Sequence, residues 1–160
     1  MKTYTRSKQG FTLIELLLVI AVISALAVTV FVALNPAQRL KDGRDARRTT
    51  DTENILSAIH TYIVDNKGAL PAGLTAGMAE KQLGTAVTGC TTATGGCAVA
   101  ATADCVSLAT PLAAYLKSIP LDPNGGTAAL TKYSVIVDAN GMVTVKACGT
   151  EGATNISTSR

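Results

Sequence analysis

From Phe11 to Leu34 the chain reads FTLIELLLVIAVISALAVTVFVAL, and only Thr12, Glu15, Ser24 and Thr29 in that run are not apolar. As an α-helix these 24 residues span roughly 36 Å at ~1.5 Å each, against ~30 Å of bilayer hydrocarbon. The run is therefore long enough to cross a membrane, and no later stretch is. Whatever else the chain forms, this segment must be covered by lipid or by other protein, because leaving it in water exposes its whole apolar surface.

The remaining composition narrows the choices. The chain has 160 residues, a formal net charge of +3 and 16% charged residues, against 48% apolar ones. Such a composition is not that of a disordered chain. The charge is local: Lys2, Arg6 and Lys8 give the first ten residues +3, while residues 61–160 carry six basic and six acidic groups. A broad basic face for duplex nucleic acid is not indicated. Tryptophan is absent, and the six aromatics (Tyr4, Phe11, Phe31, Tyr62, Tyr115, Tyr133) are too few and scattered for a stacking platform.

The N-terminal run admits three readings. A cleaved secretory signal has a basic start, a short apolar core and an A-x-A site, which Lys2, Arg6, Lys8 and Ala25-Leu26-Ala27 would supply. Against it, Glu15 places a charge at the start of the core, and Val28 to Leu34 stays apolar beyond the cut. A plain signal anchor fits the length but has no use for Glu15. The third reading rests on Gly10 directly before the run, a short basic peptide ahead of it, and Phe11-Thr12-Leu13-Ile14-Glu15 behind it. This junction resembles the class III leader of type IV pilins and pseudopilins. The resemblance implies that a membrane aspartyl peptidase cuts after Gly10 on the cytoplasmic side and that the new N-terminal Phe11 is N-methylated.

The residue types suit that chemistry. Glycine has no side chain to obstruct a protease and breaks helix readily, leaving an extended peptide ahead of the helix. Glu15 has a plain role, a capping box with Thr12 as N-cap. Its functional role is to pair with a positive amine on Phe11, its own or that of a neighbouring subunit. An unpaired charge in a low dielectric is heavily penalised, so such a pair would set the stagger between subunits, as a polar group fixes coiled-coil register. Charge counting raises a conflict over orientation. Three basic residues precede the run, and Arg39, Lys41, Arg44, Arg47 and Arg48 follow it, which by the positive-inside rule favours a cytoplasmic C-terminal side. The cysteines and the resemblance favour the opposite.

Asn35-Pro36 follows the run, and proline disfavours helix at the residue before it, so a kink or break is expected there. Many type IV pilins carry a proline inside the apolar stretch; here it falls just beyond. Residues 37–54 are polar apart from Ala37, Leu40 and Ala46 and read as a solvated helix face with local ion pairs. Contacts between subunits are the functional alternative. Ile55, Leu56, Ile59, Tyr62 and Ile63 then recur at helical spacing, a stripe that should dock a small sheet. Lys67-Gly68 supplies the stop. His60 stands alone and reads as a surface or packing residue.

Residues 84–103 are rich in Thr, Ala and Gly and read as a loop; in pilins the corresponding stretch is exposed and variable. Thr110-Pro111 reads as the start of a short helix to about Ser118, with Leu112, Tyr115, Leu116 and Ile119 inward. Lys132–Asp138, Asn140-Gly141 and Met142–Ala147 form a hairpin signal, and the tail from Gly149 is polar. Cys90, Cys97, Cys105 and Cys148 all lie in this region, none in the leader or the apolar run. Four cysteines allow three connectivities. The favoured one is Cys90–Cys97 with Cys105–Cys148, a short clip and a long tie. Zinc is the alternative, but the spacings of 7, 8 and 43 contain no C-x-x-C pair. Disulfides imply an oxidising, extracytoplasmic location.

Pro120-Leu121-Asp122-Pro123-Asn124-Gly125-Gly126 resembles the P-x-D-P-W-G turn of major pseudopilins of type II secretion, with Asn124 in place of the tryptophan. Some of those proteins bind calcium nearby, which makes Asp122 and Asn124, with Asp138 or Asn140, the oxygen ligands to consider. There is no EF-hand spacing, and these residues are first of all turn formers.

Taken together, the resemblance implies a pilin-like α+β fold. A long N-terminal helix, transmembrane then amphipathic, packs on a small antiparallel β-sheet head. The parts are a leader over 1–10, a transmembrane and filament-core helix over 11–34, its amphipathic second half over 35–67, and a disulfide-containing head over 68–160. It implies a structural subunit, a major or minor pilin, of a type IV pilus-like filament. Its partners would be further copies of the chain, a prepilin peptidase, an inner-membrane assembly platform with its ATPase, and membrane lipid before assembly. The chain would wait as a single-pass membrane protein, head outside, and end in an extracellular filament. With no phosphate loop, Cys/His pair or triad in the sequence, neither enzymatic activity nor a cofactor is expected. The alternatives are a type II secretion pseudopilin and a signal-anchored extracytoplasmic binding domain.

Overall fold

The computed structural model describes residues 10–100, 105–152 and 155–160. The expected leader, apart from Gly10, and the end of the Thr/Ala/Gly-rich stretch, residues 101–103, lie outside the described residues. Two compact units make up the chain, Met1–Arg39 and Leu40–Arg160.

Helix α1 runs from Leu13 to Leu34 and has no buried residue. Its 22 residues cover roughly 33 Å, enough for a bilayer core by length, and its hydropathy suits one. Inside it Ser24 and Thr29 turn their hydroxyls onto the carbonyls of Ile20 and Leu26 (2.7 and 2.8 Å), so neither polar side chain needs an outside partner. The helix stops at Asn35, whose backbone is left-handed (φ 41°, ψ 69°). The expected break before Pro36 is thus present, because a residue ahead of proline is kept out of the right-handed helical region. Helix α2 starts at Pro36 and runs to Asp65.

The unit from Leu40 onward is α2 against a four-stranded antiparallel sheet in the order β1-β2-β3-β4. The strands are β1 (Lys81–Gln82), β2 (Tyr133–Val137), β3 (Val143–Ala147) and β4 (Ile156–Ser159). The stripe read from the sequence does dock the sheet: Ile55, Leu56, Ala58 and Ile59 of α2 share one core with Tyr133, Val135, Val137, Val143, Val145 and Ala147. Those strand residues alternate with Ser134, Ile136, Thr144 and Lys146, so one face of the hairpin is apolar, as a half-buried strand requires. The hairpin pairs Tyr133 with Ala147 and Val137 with Val143. Its tip is a turn closed by the Gly141 amide on the Asp138 carbonyl (3.1 Å), with Gly141 at φ 85°. That is a left-handed position glycine occupies without steric cost. α2 ends with the Gly68 amide on the Ile63 carbonyl (2.8 Å). Lys67 (φ 55°) takes the left-handed position ahead of Gly68 (φ 91°), a Schellman-type stop one residue earlier than glycine alone would place it.

Two expectations need correction, and two strands appear that none of the sequence signals marked. The segment after Thr110 is not a continuous helix but a series of turns, in which the Leu112 and Leu116 amides reach back to the carbonyls of Leu108 and Leu112. The inward residues are nevertheless right: Leu112 is fully buried, with Tyr115, Leu116 and Ile119 packed beside it. The polar tail beyond Gly149 contributes β4, pairing Ile156 with Ala147 and Thr158 with Val145. The two-residue edge strand β1 carries no sequence signal of its own and was not foreseen. The disulfides are Cys90–Cys105 and Cys97–Cys148, not Cys90–Cys97 and Cys105–Cys148. Cys97 thus lies inside the loop that Cys90–Cys105 closes, and its own bond ties that loop to the end of β3. A segment with almost no bulky side chains is pinned covalently at both levels.

Candidate functional site

The N-terminal junction opens α1. Gly10 and Phe11 precede the helix in non-helical backbone, and Phe11 is 85% exposed. Thr12 is the N-cap. Its hydroxyl accepts the Glu15 amide (3.3 Å), while Glu15 Oε2 accepts the Thr12 amide (3.0 Å) and the Thr12 hydroxyl (2.8 Å). This is a complete capping box, which satisfies helix amides that would otherwise lack partners. Glu15 is therefore held locally in the single chain, next to the bond between Gly10 and Phe11. Cutting that bond would create an amine on Phe11, four residues from a carboxylate already oriented at the helix start.

A second centre, unforeseen from the sequence, lies in the head. Arg48 is completely buried on α2. Its Nε and Nη2 grip both oxygens of Asp122 (2.7 and 2.9 Å), and its Nη1 reaches Asp45 (2.6 Å) and Glu151 (3.3 Å). Arg44 holds the other side of Glu151 through Nη2 (2.9 Å). Asp45 in turn accepts the amides of Glu151 and Gly152 (3.1 and 2.7 Å). Beside this cluster Tyr133 donates its hydroxyl to Asp51 (2.8 Å). The residues 37–54 were expected to form a solvated face with local pairs. Arg47 does pair with Asp51 one turn on, but Arg44 and Arg48 instead reach across the head. The reason is distance in sequence: Asp122 and Glu151 lie 74 and 103 residues beyond Arg48, where no local spacing rule can find them.

The charges follow from this packing. Hydrogen bonding from Arg44, then Arg48, pulls Glu151 down from 4.5 to about 2 against its partial desolvation. Bonds from Asp122, Asp45 and Glu151 outweigh burial and raise the Arg48 guanidinium above its ordinary value, so it stays charged. Burial pushes Asp45 up, but the amides of Glu151 and Gly152 and the Arg48 guanidinium more than offset that, and its net shift is downward. Burial, then the bond to Asp51, pushes the Tyr133 phenol up.

The same geometry gives the two carboxylates among the calcium candidates partners within the chain. Asp122 spends both oxygens on Arg48 and also accepts the Asn124 amide (2.7 Å). Gly149 packs so closely that a Cβ there would lie 2.5 Å from Asp122 Oδ2. Asp138 Oδ1 accepts the amides of Asn140 and Met142 (2.8 and 2.7 Å). Both carboxylates therefore close turns. Among the described residues no group of three His, Cys, Asp or Glu side chains is arranged to hold a metal ion. His60 is half-buried, with its Nε2 buried and without a hydrogen-bond partner. Glu80 forms a smaller polar pin, accepting from Ser134, Lys146 (2.9 Å) and the Ala98 amide (3.1 Å) beside the Cys97 sulfur.

With this geometry in place, comparison with known proteins adds one finding. Residues 5–31 match the family model of the prokaryotic N-terminal methylation motif. The match spans the Gly10–Phe11 junction and most of α1, so this part of the chain is similar to the N-terminal methylation motif, the class III leader type found in type IV pilins. No curated protein and no solved structure matches it.

Two outcomes test the buried cluster. Arg48→Met leaves Asp122 buried without its partner and should cost about 3–5 kcal/mol of stability. Adding Asp122→Leu should recover part of it, and a near-neutral Arg48→Met would contradict the pairing. Glu151 titrates at a lower pH in the folded than in the unfolded chain, so its contribution is complete above pH 4.5 and fades as the pH falls towards about 2. The melting temperatures of the native chain and Glu151→Gln should therefore differ most above that pH and converge in stronger acid.

Proposed function

We propose that the chain is a structural subunit, a major or minor pilin, of a type IV pilus-like filament. In this reading a prepilin peptidase cuts between Gly10 and Phe11, Phe11 is N-methylated, and the mature protein waits in the membrane by α1 with its head outside. The observation that carries the reading is the methylation-motif match over residues 5–31 on a helix of 22 residues with no buried side chain. Lipid covers those side chains first, and the α1 helices of neighbouring subunits cover them later. The assembly platform and its ATPase supply the work of extraction. The neighbours are further copies of this chain, and Glu15 sets their stagger by pairing with a Phe11 amine. The capping box supports this role because it holds the carboxylate at the helix start at no cost in unsatisfied amides. The chain acts as a building block, not as an enzyme.

The two disulfides support a head outside the cytoplasm, since such bonds persist in oxidising compartments. A pseudopilin of type II secretion is the second reading, favoured by the Pro120-Leu121-Asp122-Pro123 turn. It shares the processing and the helix and differs in the filament's length and place.

Mass spectrometry of the mature N-terminus tests the proposal. A chain beginning at methylated Phe11 is expected; a start at Val28 or an intact Met1 contradicts it. Glu15→Leu should leave membrane insertion unchanged and sharply reduce filament yield by electron microscopy. Normal filaments from that variant would remove Glu15 from assembly.

A further inference from the structure

Two Asn-Gly pairs occur in the sequence, Asn124-Gly125 and Asn140-Gly141. This dipeptide is prone to a reaction that needs only water. The backbone nitrogen of the glycine attacks the asparagine Cγ, the carboxamide C–N bond breaks, and ammonia leaves with the proton. Water then opens the cyclic imide at either carbonyl, giving aspartate or isoaspartate; no electrons are transferred. Glycine favours ring closure because no Cβ crowds the attacking nitrogen. From sequence alone the two pairs are equivalent.

The structure separates them. The Asn124 carboxamide donates to Glu151 Oε1 (3.3 Å), its amide donates to Asp122 Oδ1 (2.7 Å), and its carbonyl accepts from Lys132 Nζ (2.6 Å). Glu151 and Asp122 are themselves held by Arg44 and Arg48, so rotating the Asn124 side chain means detaching it from the buried ion cluster. Asn140 sits exposed at the tip of the β2–β3 hairpin. Its carboxamide has no protein partner among the described residues, and a Cβ built on Gly141 would meet nothing within 4 Å. The restraints there are backbone ones centred on Asp138: its Oδ1 accepts the Asn140 and Met142 amides (2.8 and 2.7 Å), its carbonyl accepts the Gly141 and Gly77 amides (3.1 and 2.9 Å), and its amide donates to the Met142 carbonyl (3.0 Å). None of them engages the Asn140 carboxamide, which stays free to approach the Gly141 nitrogen when this solvent-facing turn opens locally.

We propose that Asn140 is a site of spontaneous deamidation in the folded protein and that the Arg48 cluster protects Asn124 from the same reaction. Conversion places a new carboxylate beside Asp138. An isoaspartate also adds a backbone carbon to the tightest turn of the sheet, so the modified chain carries a more acidic and looser hairpin tip.

The test uses the full chain in detergent micelles, held in mildly alkaline buffer and digested for peptide mass spectrometry. In the folded chain Asn140 should convert several-fold faster than Asn124, yielding both isoaspartate and aspartate. In guanidinium the two rates should come together. Glu151→Ala frees the Asn124 carboxamide and should raise its rate towards that of Asn140. Conversion of Asn124 as fast as Asn140 in the folded native chain, or no conversion at Asn140, would overturn the proposal. If Glu151→Ala fails to fold, the folded and denatured native chain still decide it.

Discussion

One buried guanidinium organises the head. Arg48 has no exposed surface, and its acceptors come from three places: Asp45 one turn back on α2, Asp122 in the turn before β2, and Glu151 just ahead of β4. A buried charge without partners is expensive, and it stabilises a fold only when several acceptors converge on it. Here that convergence fixes three segments at once. The Pro120–Gly126 turn is held down by Asp122, and the approach to β4 is held by Asp45 and Glu151. α2 is fixed in register against both. The apolar core supplies the bulk of the burial, but it is non-directional. The ion cluster adds the geometry that says which turn meets which end of the helix.

α1 presents the opposite problem. It is apolar apart from Glu15, Ser24 and Thr29, whose polar groups bond within the helix and its cap, and it buries nothing within the chain. Such a helix gives no information about its own partner beyond the requirement that one exist. The reading that lipid and then sister helices fill that role follows from the N-terminal motif. It accounts for a segment that no contact in the head explains. In that reading a near-neutral head would let copies pack side by side without accumulating charge.

How much of this was visible beforehand depended on the range of the interaction. α1, the break at Asn35, the Ile55–Ile63 stripe and the β2–β3 hairpin were legible because each depends on a local period or turn residue. The capping box was legible for the same reason, since Thr12 and Glu15 are three apart. Arg48 was misread because its partners are remote in sequence, and a polar helix segment looks solvated until its acceptors are placed. The same holds for the disulfides, where spacing leaves all three pairings open. β4 was hidden because Ile-Ser-Thr-Ser offers one apolar residue in four; its place comes from the edge of β3 and the clamp at Glu151. The five basic residues after the apolar run, which pulled the orientation count the wrong way for the pilin reading, include Arg44 and Arg48, whose charges are spent inside the head.

The central claim, that one apolar helix exchanges lipid for copies of itself, is tested most directly by photocrosslinking from α1. A photoreactive leucine analogue at position 26, a site 60% exposed in the single chain, would be activated in cell membranes and in sheared surface filaments. The account requires lipid adducts in the membrane fraction and chain-to-chain adducts through α1 in the filaments. Lipid adducts in both, or no surface fraction containing the chain, would contradict it.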